Sequence, residues 1–431
     1  MPSKIIRPAH AVHGVLRMPG DKSISHRYAM LAAMAEGISE FENFATGEDC
    51  AATLRCLAAL GAEVTQRGSN LSIRGCSGNF SSPVASLDCG NSGSTLRMMA
   101  GLLAGQEGEF VLTGDASLLR RPMLRVAGPL RQMDAAIELH GDHAPMTIHG
   151  GRLTAITFQP EVASAQVKSA VLFAGLQARG VTVVQEPVRT RDHGELALRA
   201  FGAQIDIAPA NISIAGGQAL HAIHADIPGD ISSAAFFLCA AAMLPGSSLT
   251  IENLGLNPMR TAVLDVLTGM GALVRVRAIE EQHGELRGTL EIQSAPGGLR
   301  GADISGALTT RLIDELPMLA VLGAFTRDGV TLREARELRV KESDRIALVA
   351  RNLRAMGAEV EEFDDGLGVP GGQTLHGAEI DSGGDHRIAM AFAIAALRAQ
   401  GETLIQDAEC AAVSFPEFWE LLEGVTKPRP S

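Results

Sequence analysis

The sequence predicts an α/β protein of two lobes, each holding three repeated units packed around buried central helices. Two observations predict this. A polar, Gly- or Ser-containing segment followed by a helix apolar on nearly every side recurs six times, about every 70 residues. Between these segments lie amphipathic helices that close on Gly-Ala and lead into alternating strands.

The apolar helices are expected at His26–Gly37, Ser94–Gly105, Ala165–Gly180, Ser232–Gly246, Glu315–Gly329 and His386–Gly401, each stopped by glycine. A helix apolar all round must be covered on every side. An open stack of six is therefore disfavoured, and two globular groups of three are the compact arrangement. The second helix type closes at Leu60-Gly61-Ala62, Phe201-Gly202-Ala203, Met270-Gly271-Ala272 and Met356-Gly357-Ala358. Asp134 stands where a fifth glycine would be, and Gly424 is read as a sixth closure. Strands are expected behind these closures, such as Glu63–Arg67 with Leu71–Arg74, Gln204–Ile207 with Ile212–Ile214, and Leu273–Arg277.

Composition bounds the function. At 431 residues the chain has room for two or three domains, and 46% hydrophobic against 20% charged residues excludes disorder. Lys plus Arg number 37 against 49 Asp plus Glu, a net charge of −12 that argues against a nucleic-acid or membrane-surface binder. The longest wholly apolar stretch, Ala234–Leu244, falls short of a membrane span, and Met1–Gly20 shows no apolar signal region. Six scattered cysteines without a CxxC pair read as reduced thiols of a cytoplasmic enzyme. His140/His143 and His221/His224 have metal-like spacing but no accompanying third ligand, so no metal is expected.

Cations gather where the apolar helices begin. The starts include Pro19-Gly20-Asp21-Lys22-Ser23-Ile24-Ser25-His26-Arg27, Gly90-Asn91-Ser92-Gly93, Ser164-Ala165-Gln166, Asp314-Glu315 and Asp385-His386-Arg387, with Arg120-Arg121, Thr190-Arg191 and Arg339–Arg345 nearby. A helix N-terminus offers unmet N–H groups and the positive end of the dipole. Arginine adds bidentate contacts and lysine a point charge, so phosphate and carboxylate ligands are the natural partners. Gly90–Gly93 fits neither GxGxxG nor GxxxxGK[ST], which removes dinucleotide and P-loop readings. Taken singly, these segments are a turn, a solvated charged helix start, or capping acids at Asp314 and Glu342. Their recurrence at one helix type points to ligands, expected in a cleft where two lobes aim helix starts at each other.

Lys22–Arg27, Gly90–Gly93, Arg121-Pro122, Arg339–Arg345 and Asp385-His386-Arg387 together resemble the 5-enolpyruvylshikimate-3-phosphate synthase family, in its order, from about Pro19 to Pro416. The resemblance implies an enolpyruvyl transferase fold of six βαβαββ units, three per lobe. Residues 1–20 plus 241–431 would form one lobe and 21–240 the other, with crossings near Gly20 and Ala240. It implies transfer of the enolpyruvyl group of phosphoenolpyruvate to the 5-hydroxyl of shikimate 3-phosphate, without metal or organic cofactor, by a cytoplasmic monomer that glyphosate inhibits. By the same resemblance, Lys22, Gly93, Arg121, Gln166, Arg345, His386 and Arg387 bind phosphoenolpyruvate, and Asn91 adds a polar contact. Lys22, Ser23, Arg27, Ser164, Ala165, Gln166, Arg191, Asp314 and Lys341 contact shikimate 3-phosphate. Asp314 is then the base at the 5-hydroxyl and Glu342 the proton donor to the methylene carbon, with Lys22 the third catalytic residue.

Three departures place the chain nearer the family's second class. Val413 and Ser414 precede Phe415-Pro416 where many members carry a lysine, Glu337 replaces an asparagine, and Arg191 stands near a missing aromatic ring. Gly93 leaves room for glyphosate, so ordinary sensitivity is expected. Two alternatives remain. The sister transferase acting on UDP-N-acetylglucosamine uses a loop cysteine, and Asp115–Met123 contains none. A non-catalytic anion-binding protein would gain nothing from Asp314 and Glu342 beside the basic cluster.

Overall fold

Each of the six apolar segments forms a helix: α1 (Lys22–Met34), α2 (Gly93–Ala104), α3 (Ala165–Gly175), α4 (Ile231–Met243), α5 (Leu316–Gly323) and α6 (His386–Ala396). The computed structural model describes residues 3–428. Every residue of α4, α5 and α6 is buried, as the all-round apolar pattern requires. The helices stop earlier than the glycines. Gly37, Gly180, Gly246, Gly329 and Gly401 lie beyond them with φ between 73° and 104°, in the turn that feeds the next strand. Gly105 alone caps its helix directly, at φ −91°.

The amphipathic helices are Glu48–Ala59, Leu124–Gln132, His193–Ala200, Ala262–Met270 and Arg345–Ala355. Gly61, Gly202, Gly271 and Gly357 follow four of them in left-handed geometry, and Asp134 takes the same geometry at φ 70°. Aspartate tolerates that region better than most residues. Gly424 is no closure, because it lies inside the helix Phe418–Val425.

Among the described residues six small sheets accompany the helices, and the four that have four strands share one order. Leu87–Asp88 runs parallel to Gly108–Thr113, which pairs antiparallel with His143–Gly150, followed by Ala136–His140. The same pattern joins Thr157–Phe158, Val181–Gln185, Asn211–Ala215 and Ile205–Ile207. It recurs from Ala302–Ile304 through Val330–Leu332 and Gly366–Val369 to Glu361–Phe363. In these three sheets α2, α3 and α5 cross over between the parallel strands. The fourth of these sheets borrows its parallel strand, His224–Asp226, from far along the sequence to lie beside Ile38–Glu42.

The chain divides into two compact units. A terminal unit holds the stretch ending at Pro19, Pro228–Glu281 and the stretch from Leu286; a middle unit holds Gly20–Ile227 with Gln282–Glu285. The first division falls at Gly20. The second falls at Pro228, while Ala240 sits within α4, fully buried in the terminal unit's core. A helix buried on all sides cannot be shared between two cores, so the chain divides before it begins. Each unit has its own continuous core. In the terminal unit Phe415, next to the departure at Val413, packs its ring 6.1 Å from Phe237 of α4 and 5.7 Å from Phe418. In the middle unit Tyr28 of α1 packs 5.7 Å from Phe41 and 5.8 Å from Phe201.

The middle unit's core depends on one close approach. A β-carbon at Gly101 of α2 would lie 2.0 Å from the carbonyl oxygen of Ala170 in α3. Backbone meets backbone there, and neither helix can yield without disturbing its crossover. Gly101→Ala is expected to destabilise the protein by about 3 kcal/mol, at the upper end of overpacking costs. Urea unfolding measures it, and a change within error would contradict the rigidity of this contact.

Candidate active site

In the middle unit the starts of α1, α2 and α3 carry most of the candidate side chains. Asp21 caps α1, its Oδ1 accepting the Ile24 N–H at 3.0 Å. Next to it, Lys22 Nζ donates to Asp49 Oδ2 at 2.8 Å, a partner from the following helix. One turn on, buried Arg27 donates to the Ser23 carbonyl at 2.9 Å and the Ala165 carbonyl at 3.3 Å, and to Ser169 Oγ at 2.9 and 3.1 Å. Ser23, Arg27 and Ala165 therefore belong to one hydrogen-bonded set. Ser164 caps α3 through the Val167 N–H at 3.4 Å.

A second set surrounds Gly93, the first residue of α2. Ser92 caps the helix by accepting the Thr95 N–H at 3.1 Å. Arg121 Nη2 donates to Asn91 Oδ1 at 2.7 Å, and Asn91 Nδ2 donates to Asp115 at 2.7 Å. From the other side Arg97 Nη1 donates to Gln166 Oε1 at 2.8 Å, while Gln166 Nε2 donates to Ser94 Oγ at 2.9 Å. A β-carbon at Gly93 would lie 2.8 Å from Arg97 Nη1 and 3.2 Å from Arg121 Nη1. Glycine is what lets both guanidinium groups approach this helix start. Gln166 joins the two sets through α3. Arg191 lies in the loop ahead of the helix His193–Ala200, half-buried. Burial pushes the His26 imidazole well below its usual range, and Lys22 and Arg27 push in the same direction against the pull of Asp21.

The terminal unit assembles a different group at the starts of α5 and α6. Asp385 caps α6, its Oδ1 accepting the Arg387 N–H at 2.9 Å. Its Oδ2 accepts from Arg345 Nε at 2.8 Å and from Ser343 Oγ at 2.8 Å. Arg345 is 1% exposed and also donates to Glu342 Oε2 at 2.5 Å, with its Nη1 3.9 Å from Asp314 Oδ1. Arg387 Nη1 donates to the Asp314 carbonyl at 2.7 Å, and its Nε lies 3.9 Å from Asp314 Oδ1. Asp314, Glu342, Arg345 and Arg387 thus form one cluster, with His386 buried beside Arg387 in the first turn of α6. Burial pushes the Lys341 ammonium down, while Asp314, Glu337 and Glu342 pull it up. Such a cluster brings two carboxylates within reach of cations that can hold an anion, an arrangement suited to moving protons beside a charged ligand.

Two points separate the structure from the sequence pattern. Arg339 and Arg345 belong to one charged run, yet Arg339 turns away to the Asp344 carboxylate at 2.8 Å and the Asp364 and Phe363 carbonyls at 2.8 and 2.7 Å. It braces a hairpin and does not join the Arg345 cluster. Asp49 and Arg97 hold Lys22 and Gln166, and the sequence assigns neither a role, whereas Asp385, which holds Arg345, stands in the Asp385-His386-Arg387 motif. Arg97 lies 69 residues from Gln166, a pairing that no local pattern reveals. His140 and His143 are cross-strand neighbours at a hairpin turn. Among the described residues no helix is long and apolar enough to cross a membrane.

Repeated sheet-and-helix units in two compact bodies are a fold that this chain shares with solved structures. An enolpyruvyl transferase, NikO, from Streptomyces tendae has the same fold at a TM-score of 0.78, 20% identity and 98% coverage of both chains. EPSP synthase from Acinetobacter baumannii superimposes at a TM-score of 0.87 with 39% identity, covering 99% of each chain. The family model described as EPSP synthase (3-phosphoshikimate 1-carboxyvinyltransferase) matches residues 6–422. Proteins named 3-phosphoshikimate 1-carboxyvinyltransferase from Koribacter versatilis and Solibacter usitatus are 57% and 53% identical, covering 99% and 98% of this chain and all of each relative. The chain belongs to the EPSP synthase family.

The cluster in the terminal unit has a measurable signature. Burial opposes a charge on Asp385, but the Arg345 guanidinium outweighs it and holds the carboxyl below its usual range. A depressed carboxyl stabilises the fold above its unfolded value, and the contribution is lost as pH falls through the folded value. Asp385→Asn is expected to cost about 3 kcal/mol at pH 7, as for breaking one partner of a buried pair. It should also flatten the loss of stability below about pH 4, the ordinary aspartate value. Denaturant unfolding at pH 7 and pH 3 reads both effects.

Proposed function

We propose that this chain transfers the enolpyruvyl group of phosphoenolpyruvate to the 5-hydroxyl of shikimate 3-phosphate, giving 5-enolpyruvylshikimate 3-phosphate and phosphate. This is the shikimate-pathway step that leads toward the aromatic amino acids. The observation that carries the mechanism is the joint placement of Asp314 and Glu342 about Arg345, with Arg387 held to Asp314. Asp314 takes the proton of the 5-hydroxyl as its oxygen adds to the central carbon of phosphoenolpyruvate. Glu342 delivers a proton to the methylene carbon, and Arg345 keeps Asp385 as its partner when Glu342 is protonated. Phosphate then leaves, the methyl group so formed returns a proton to the Glu342 carboxylate, and the double bond re-forms.

Cations stabilise the leaving phosphate. Lys22, Arg121, Arg345 and Arg387 are assigned to phosphoenolpyruvate, with Gly93 supplying its backbone N–H and Gln166, Asn91 and His386 polar contacts. Ser23, Arg27, Ser164, Ala165, Gln166, Arg191 and Lys341, with Lys22 and Asp314, are assigned to shikimate 3-phosphate. The hydrogen bonds joining Ser23, Arg27 and Ala165 support treating these as one subsite. No metal or organic cofactor enters this reaction, and a cytoplasmic monomer sensitive to glyphosate is the form proposed.

The test is phosphate release from phosphoenolpyruvate with shikimate 3-phosphate or UDP-N-acetylglucosamine as acceptor. Release with shikimate 3-phosphate alone is expected; release only with the nucleotide sugar overturns the acceptor, and release with neither overturns the enzyme reading. In the same assay Asp314→Asn should lower kcat by at least about a hundredfold with little change in KM, the scale of general-base catalysis. An unchanged kcat refutes the base role.

Gly93→Ala places a methyl group 2.8 Å from Arg97 Nη1 and 3.2 Å from Arg121 Nη1. It is expected to raise the glyphosate concentration for half inhibition by tenfold or more, about the discrimination a single misplaced methyl provides. Equal inhibition of wild type and variant would contradict this placement of the inhibitor.

A further inference from the structure

The middle unit seals a group of charges that the reaction above does not use. Lys168 lies in the first turn of α3 with its side chain wholly buried. Its ammonium donates to Glu186 Oε2 at 2.9 Å, Glu195 Oε1 at 2.8 Å and the Thr190 carbonyl at 3.4 Å. Both carboxylates are as deeply buried as the lysine. Glu186 follows the strand Val181–Gln185, and its other oxygen accepts the Thr190 N–H at 3.3 Å and the Thr190 hydroxyl. Glu195 lies in the first turn of His193–Ala200. One ammonium therefore ties together α3, the 186–190 loop and the next helix. Arg191 follows directly on the last tied residue of that loop.

Stability alone is a poor reason for this arrangement. Removing three charges from water is costly, and apolar residues of similar volume hold helices together at least as well. Burial even pushes the Glu195 carboxyl up, against the pull of Lys168. What an ammonium with three directed hydrogen bonds supplies, and an apolar contact does not, is a fixed register between the segments it joins. The neighbouring residue extends that register toward the subsite. Ser169 Oγ donates to the Ala165 carbonyl at 2.8 Å and accepts from Arg27. A β-carbon at Gly194 would lie 2.7 Å from Ser169 Oγ, so the next helix also starts hard against this point.

We infer that Lys168 is a positioning residue for the phosphorylated acceptor: held by Glu186 and Glu195, it fixes the loop carrying Arg191 relative to the α3 start that carries Ser164 and Ala165. The inference rests on the reading above that these residues bind shikimate 3-phosphate. A side chain acting through that loop affects acceptor affinity and leaves the chemistry and the phosphoenolpyruvate contacts in place.

Steady-state kinetics of wild type, Lys168→Met and Thr190→Val, each with its thermal midpoint, test this. Lys168→Met is expected to raise KM for shikimate 3-phosphate about tenfold or more, as misplacement from a distance does, with kcat and KM for phosphoenolpyruvate within about threefold. Thr190→Val keeps both ion pairs and loses only the hydroxyl's bond to Glu186. It should show a smaller rise confined to the same parameter, and it carries the test if Lys168→Met does not fold. An unchanged KM for shikimate 3-phosphate in the folded variants overturns the inference. So does a general loss of kcat and of both KM values that follows the thermal midpoint. Wild type without turnover on shikimate 3-phosphate would instead overturn the functional reading, and the inference with it.

Discussion

The six central helices are apolar on every side, and that constraint decides where polar chemistry can be. A helix buried all round meets solvent or ligand only at its ends, and its N-terminal N–H groups must find acceptors there. Five of the six starts answer with a side chain: Asp21, Ser92, Ser164, Asp230 and Asp385 each accept a backbone N–H of their own helix. The sixth, α5, has Pro317 near its start, which removes a donor that would otherwise need a partner. The residues assigned to catalysis and binding crowd into these starts or into the loops beside them.

Capping by an acid has a second effect. Asp385 caps α6 with Oδ1 and accepts from Arg345 at both oxygens, so a single carboxylate supports a buried guanidinium and orders the helix start together. Arg345 then presents its remaining nitrogens toward Glu342 and Asp314. In the middle unit amides do part of this work. Asn91 and Gln166 orient Arg121 and Arg97 beside Gly93. An amide orients a guanidinium without cancelling its charge, whereas a carboxylate does both. The first suits holding an anion, and the second suits keeping an acid and a base close to cations without excess charge.

Helix type and repeat were legible because an all-round apolar pattern has only one stable solution, and because the turn after each amphipathic helix demands left-handed geometry. That demand is specific enough that Asp134 was recognisable in a glycine's place. Helix ends were less legible: the glycines after α1 and α3 to α6 serve the turn into the next strand, several residues beyond the last helical one. Gly424 misled because glycine alone does not distinguish a closure from an exposed helical position. For the site, residues with a chemical signature were readable, and their partners were not. Arg339 and Arg345 look equivalent in a charged run, yet one starts a helix and the other ends a 3₁₀ turn against a hairpin, so their guanidinium groups point to different tasks.

Lys168 is the sharpest case of that limit. In sequence it is one lysine in an apolar helix, and the amphipathic rule would put its charge at a surface. Its partners are 18 and 27 residues away, just after a strand and on another helix, and only the packing of α3 against the strand Val181–Gln185 and the helix His193–Ala200 brings them together. A buried cation this close to a helix start also works against the positive end of the helix dipole, which adds to its cost. Glu186 and Glu195 offset that cost from elements on either side of the Arg191 loop. The charges are therefore placed where they constrain a polar loop that no buried helix carries. A substrate contact supplied by a loop needs such an external anchor, whereas contacts at the α1, α2 and α3 starts are already held by the helices themselves.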